Sequence, residues 1–107
     1  MYDPAKMIIK IHKGPDGRRV IAVCDHDIIG KKFEEGRLQL DLTSSFYKGE
    51  EKAEKDLIDE IRKGSCVLNM VGKKSIEFCK KKGFIEKGRI IKVKGVPHAQ
   101  AVIVLGD

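Results

Sequence analysis

The stretch CVLNMVGKKSIEFCKKKG, residues 66–83, contains the sharpest change of pattern in the chain. Its first six residues are uncharged and mostly apolar, as expected of a strand in the interior of a sheet. Gly72 then opens a segment with apolar residues at helical spacing, which ends at Gly83. A buried strand followed directly by a helix is typical of domains that pack helices on a sheet.

A second helix is predicted before this stretch, over residues 50–63. Leu57, Ile58 and Ile61 share one helical stripe, and acidic residues crowd the first turn while basic residues occupy the last. Further out, residues 7–11 and 20–24 flank the turn sequence GPDG, which predicts a hairpin. Leu38, Leu40 and Leu42 alternate with polar residues and predict the third strand.

The last two strands are expected at residues 89–94 and 101–105. The segment between them is GVPHAQ, residues 95–100, and we expect Pro97 in this connection because proline cannot donate to a ladder. The complete order is βββαβαββ. It predicts an α+β fold, a two-layer α/β sandwich of about six strands in a largely antiparallel or mixed sheet, with both helices on one face. The length of 107 residues predicts a single domain, residues 1–107.

Positive charge is concentrated in residues 73–94, where nine basic residues face two acidic ones, a net of +7 in a chain whose total is +6. Such segregation favours an anionic partner, since ordinary solvated surfaces mix both signs. We therefore expect a non-enzymatic protein that binds RNA or a ribonucleoprotein, with a solvated surface as the alternative. The candidate nucleic-acid-binding residues are Lys73, Lys74, Lys80, Lys81, Lys82, Arg89, Lys92 and Lys94.

Lysine dominates this set, which suits point-charge contacts to phosphates better than base recognition. The sequence GKKS at residues 72–75 also follows a strand and opens a helix, where free amides favour an anion. It departs from a Walker motif, because Val67 replaces the first glycine and Lys74 separates Lys73 from Ser75. Nucleotide triphosphate binding is therefore disfavoured, and docking of one backbone phosphate remains an expectation.

An enzymatic alternative centres on His98, which could act as an acid, a base or a metal ligand. Asp25 and His26 lie in the only other dense polar cluster, and Cys24 precedes them. No spacing rule joins the two segments, so catalytic roles for His98, Asp25 and His26 are weak candidates. The favoured interpretation is that His98 bonds backbone in its turn and that the aspartates shape a turn.

A third possibility is a protein-interaction adaptor that uses residues 50–63 with Phe46 and Tyr47. The favoured interpretation of this aromatic pair is a hydrophobic staple at the helix entry.

Three dispersed cysteines and three dispersed histidines match no metal-ligand spacing, so no metal and no cofactor are predicted. The cysteines are expected to be reduced and mostly buried. No segment is apolar enough to cross a bilayer and no leader precedes the chain, so a cytoplasmic protein is predicted.

Four motifs resemble those of a small archaeal protein family, the domain-of-unknown-function family four-two-four: DHDIIGKKF at residues 25–33, FYKG at 46–49, NMVG at 69–72 and GVPHAQ at 95–100. The resemblance covers nearly the whole chain. It implies an archaeal cytoplasmic protein with a two-layer α/β fold, whose genes tend to lie near translation-related genes, and it carries no activity. The motif positions are Phe46, Tyr47, Gly49, Asn69, Gly72, Gly95, Pro97, His98 and Gln100.

Overall fold

The computed structural model describes residues 6–105. Eight strands and two helices follow one another as β1 (Lys6–Lys13), β2 (Arg19–Cys24), β3 (Lys32–Glu35), β4 (Leu38–Asp41), β5 (Glu50–Ala53), α1 (Glu54–Arg62), β6 (Cys66–Val71), α2 (Lys73–Lys81), β7 (Ile91–Val93) and β8 (Val96–Ile103). Three 3₁₀ turns lie at His26–Ile28, Ser45–Tyr47 and Lys87–Arg89.

Six strands form one mixed sheet in the order β5-β1-β2-β6-β8-β7. β6 runs parallel to β2, and every other pairing in this sheet is antiparallel. The parallel pair needs a long crossover, which β3, β4, β5 and α1 supply. The strands of this sheet and the helices follow the predicted order βββαβαββ, and the α+β fold is confirmed.

The third strand of the sheet is not the predicted one. Leu38–Asp41 is a strand, but it pairs only with β3 in a separate two-stranded sheet. The third place is taken by Glu50–Ala53, which pairs with β1 and which the helical stripe had assigned to α1. The helix starts later because Asp56 Oδ2 accepts from the Ala53 amide at 3.1 Å and so caps the end of the strand.

Pro97 lies within β8 and not in a connection, which corrects the sequence interpretation. The turn is Lys94-Gly95, and both residues have positive φ, 52° and 78°. The Gly72 amide donates to Pro97 O at 2.9 Å, while Gly72 O accepts from the Ile76 amide in α2 at 3.0 Å. Proline is therefore tolerated at position 97. An N–H at this position would face Gly72 O, and that oxygen already accepts a hydrogen bond from the Ile76 amide.

Two apolar cores lie on opposite sides of the sheet. The larger packs α1 and α2 against one face, with Leu57, Cys79 and Met70 among its fully buried members. The smaller packs the β3–β4 hairpin and Tyr47 against part of the other face. All three cysteines are free and buried. Within residues 6–105, no helix is long and apolar enough to cross a membrane.

Candidate nucleic-acid interface

The N-terminus of α2 is held by the carboxylate of Asp25. Oδ2 accepts from the Lys74 amide at 2.9 Å, and Oδ1 accepts from the Ser75 amide at 2.8 Å and from Ser75 Oγ at 2.7 Å. Asp25 is 5% exposed and Ser75 is fully buried. We had expected these two amides to bind a phosphate, but both donate to the carboxylate of Asp25. This internal anion also interacts favourably with the dipole of α2.

Lysines of α2 line a groove that faces β1 and the start of α1. The groove has a volume of about 530 Å³, and its cationic lining is Lys6, Lys73, Lys74, Lys81 and Lys82. Glu54 and Glu77 are the acidic residues on its walls. Lys81 follows Lys73, and Lys82 follows Lys74, by eight residues, which is a little over two helical turns and about 12 Å along the axis. Both pairs line the groove.

A second cleft of about 370 Å³ lies at the other side of the α2 N-terminus. Lys31 and Lys94 join Lys73 and Lys74 on its walls, together with Asp25 and Asp27. Lys73 and Lys74 line both cavities. We call the lysines that line the groove or the cleft, Lys6, Lys31, Lys73, Lys74, Lys81, Lys82 and Lys94, the lysine track.

Three of the basic residues singled out in the sequence lie outside the lysine track. Lys80 pairs with Glu77 at 3.4 Å on the same helix. Arg89 lines a different groove, beside β8. Lys92 lies on the edge strand β7 opposite Pro97. Conversely, Lys6 and Lys31 were missed, because isolated lysines far from the cluster give no local signal.

His98 is placed by β8 and pairs with Val71 of β6. Its Nδ1 lies 2.9 Å from Met70 O, and since a carbonyl only accepts, Nδ1 carries the proton and donates. Burial lowers the pKa of His98, and the bond to Met70 opposes this shift in part. The histidine is therefore a neutral cross-strand linker and not a residue of a turn.

Two of the enzymatic candidates, His98 and Asp25, are engaged in bonds to the backbone. His98 shares a sheet face with its register partner Val71 and bonds Met70 O, whereas the carboxylate of Asp25 accepts from the first turn of α2. His26 lies in the 3₁₀ turn His26–Ile28. Burial, with smaller contributions from the charges of Asp25 and Asp27, raises the pKa of Cys24 to about 12, which disfavours a thiolate. Among the described residues, no group of three or more His, Cys, Asp or Glu could hold a metal.

Several motif residues meet on the sheet face opposite the helices. The Tyr47 hydroxyl donates to Asn69 Oδ1, and Gln100 is the register partner of Asn69 on β8. Burial raises the pKa of Tyr47 above its usual range, with the nearby Cys24 adding to this, so the phenol stays a donor. Phe46 stacks on His12 with ring centroids 4.5 Å apart. The staple interpretation was wrong, because β5 separates this aromatic pair from α1.

The glycine at position 49, in the second motif, has a steric reason. A β-carbon there would lie 2.8 Å from the Cα of Lys10 and closer still to the carbonyl of Ile9. The glycine therefore allows the chain to approach the backbone of β1 closely just before β5 pairs with it.

The structure defines a small α+β protein with a mixed six-stranded sheet and two helices on one face. The chain belongs to the family described as "Protein of unknown function (DUF424)", whose model matches residues 12–104. The resemblance drawn from the four motifs is thereby confirmed.

A solved structure shares this fold. It is the crystal structure of an uncharacterized conserved protein from Methanopyrus kandleri, with 24% identity, a TM-score of 0.76 and coverage of 96% of each chain. No curated protein matches the sequence.

Proposed function

We propose that the protein binds RNA or a ribonucleoprotein through the lysine track. The observation that carries the proposal is that Lys73 and Lys74 line both the groove and the cleft, which together are lined by seven lysines. Four carboxylates line the same cavities, and one of them, Asp25, is committed to the cap of α2. The surface therefore keeps a positive excess that suits a phosphate backbone.

The chemistry of the lysine track favours backbone recognition over sequence recognition. Ammonium groups contact phosphates as point charges, and the track contains no arginine for bidentate contacts to bases. A length of about 12 Å along α2 matches about three to four nucleotides of one strand at about 3.4 Å each. We place the partner among structured, translation-related RNAs of the cytoplasm, with ribosomal particles as the first test.

The test compares two charge reversals on neighbouring residues of one helix. Lys81 lines the groove, whereas Lys80 does not line it and pairs with Glu77. Lys81→Glu should weaken binding to a structured ribosomal RNA fragment in fluorescence anisotropy at low salt, and Lys80→Glu, with the same change in net charge, should have a smaller effect. Equal losses would mean that only net charge matters, and no binding by the wild type would contradict the proposal. Circular dichroism checks the fold of both variants.

A further inference from the structure

The outer edge of β8 is only partly covered. β7 pairs with Val96, Pro97 and His98 and with no later residue, whereas β6 pairs with β8 as far as Ile103. The Gly72 amide bonds Pro97 O, so the backbone groups of residues 97, 99, 101 and 103 face β6. Those of Gln100 and Val102 consequently face outward, where no described strand pairs with them.

A groove of about 450 Å³ runs along this open edge. The sheet side is formed by Val67, Gln100, Ala101 and Val102, and the facing wall by Phe84, Ile85, Glu86 and Arg89. The groove thus offers two outward N–H groups and two outward C=O groups beside walls that are partly apolar, and its facing wall carries one acid, Glu86, and one base, Arg89.

Exposed apolar side chains are concentrated around the same edge. Among the described residues, five large hydrophobic side chains are exposed, and three of them lie in β8 or directly after it: Val102, Val104 and Leu105, with Val102 at 71% and Val104 at 76% exposure. Residues 99–105 contain no charge in a chain that is 36% charged. The opposite edge of the sheet is β5, whose sequence EEKA carries the charges that usually protect an edge. Residues 99–103 of β8 carry no such charge.

We propose that residues 100–103 dock an extended segment of a protein partner, which adds to the sheet as a further strand. The outward backbone groups of Gln100 and Val102 can form up to four hydrogen bonds with such a segment, whereas a nucleic acid lacks the matching alternation of donors and acceptors. The partner segment alternates apolar residues, which cover Val102, with an acidic residue opposite Arg89. A second copy of this chain fits less well, because residues 99–105 of its own β8 contain no acidic residue to lie opposite Arg89.

The surface is distinct from the lysine track, and the two proposals can fail separately. A suitable probe is a set of fluorescent seven-residue peptides in which Val alternates with Glu, Thr or Lys. The Glu peptide should bind best, and hydrogen exchange should show new protection at the Gln100 and Val102 amides only, since the amides of residues 99, 101 and 103 already face β6. Protection without this alternation, or no binding by any peptide of the set, would overturn the proposal.

Val102→Pro tests the backbone contact directly. Its N–H faces outward, so proline there removes no bond to β6 and is compatible with an edge position. It should weaken binding of the Glu peptide about tenfold or more, while Val102→Thr keeps the N–H and retains most of the binding. Unchanged binding to the folded Val102→Pro variant would overturn the proposal. So would a dimer in sedimentation that this variant abolishes, which would assign the edge to a second copy. Lys81→Glu should leave peptide binding unchanged.

Discussion

A β-carbon at Gly72 would lie 2.5 and 2.6 Å from the two carboxylate oxygens of Asp25. The absence of a side chain at Gly72 is therefore what allows a carboxylate from the end of β2 to reach the first turn of α2. The same glycine has φ 111°, a conformation that other residues adopt only with strain. Asp25 and Gly72 together stabilise the start of α2: the carboxylate accepts from the first-turn amides, and the glycine leaves room for it.

Gly72→Ala should lower the free energy of unfolding by about 2 to 4 kcal/mol, because it adds backbone strain and an overlap with Asp25. Gly83→Ala is the matched control, since Gly83 has φ 78° but nothing within 4 Å of the added carbon. It should cost only about 1 kcal/mol. In an Asp25→Ala background the cost of Gly72→Ala should fall by about 1 kcal/mol or more, as measured by a urea double-mutant cycle. Strict additivity would show that the two residues do not interact.

Tyr47→Phe should lower stability by about 0.5 to 1.5 kcal/mol, because Asn69 Oδ1 loses the phenol that donates to it. Since the folded pKa of Tyr47 is raised, the unfolded chain ionises first, and stability should fall as the pH rises above the unfolded tyrosine pKa of about 10. Chemical denaturation at neutral and high pH measures both effects. The wild type should lose more stability with rising pH than the variant, and an identical loss would contradict the assignment.

His98 should make folding pH-dependent on the acid side. Its folded pKa is lowered, so the unfolded state binds a proton first and stability falls as the pH drops below about 6.5. His98→Asn can still donate to Met70 O from its amide nitrogen but does not titrate. Urea melts at about pH 5 and pH 7.5 should show a smaller change for the variant than for the wild type. His12 and His26 remain in both proteins and cancel in the comparison.

Affinity for structured RNA should fall steeply with salt. Each phosphate neutralised contributes a log-log slope of about 0.7 to 0.9, so contacts to about three or four phosphates give a slope of about −2 to −4. A filter-binding titration from low to moderate salt measures the slope. Lys81→Glu should make it shallower, while His98→Asn should leave it unchanged because His98 lies outside the lysine track. A slope near zero would show that phosphates do not carry the affinity.

The sequence by itself determined the order of elements, the two amphipathic helices and the concentration of lysine in residues 73–94. These features are local, since periodicity and charge at helix ends act over one or two turns. The sequence did not predict that Glu50–Ala53, a short charged segment, pairs with β1 as a strand. It also did not predict Pro97 within a strand, which is possible because Gly72 O accepts from Ile76 and needs no N–H from residue 97. Propensity cannot foresee a partner that lies far along the chain.

Only the tertiary structure decided which charges and which motif residues meet. Lys6 and Lys31 join the lysine track through β1 and the loop before β3, although both lie more than forty residues from Lys73. Asp25 and Gly72 come together because β2 and β6 are parallel neighbours, so each residue directly follows the carboxyl end of its strand at the same end of the sheet. The open edge of β8 likewise depends on where β7 stops pairing, which is a property of strand register and not of composition.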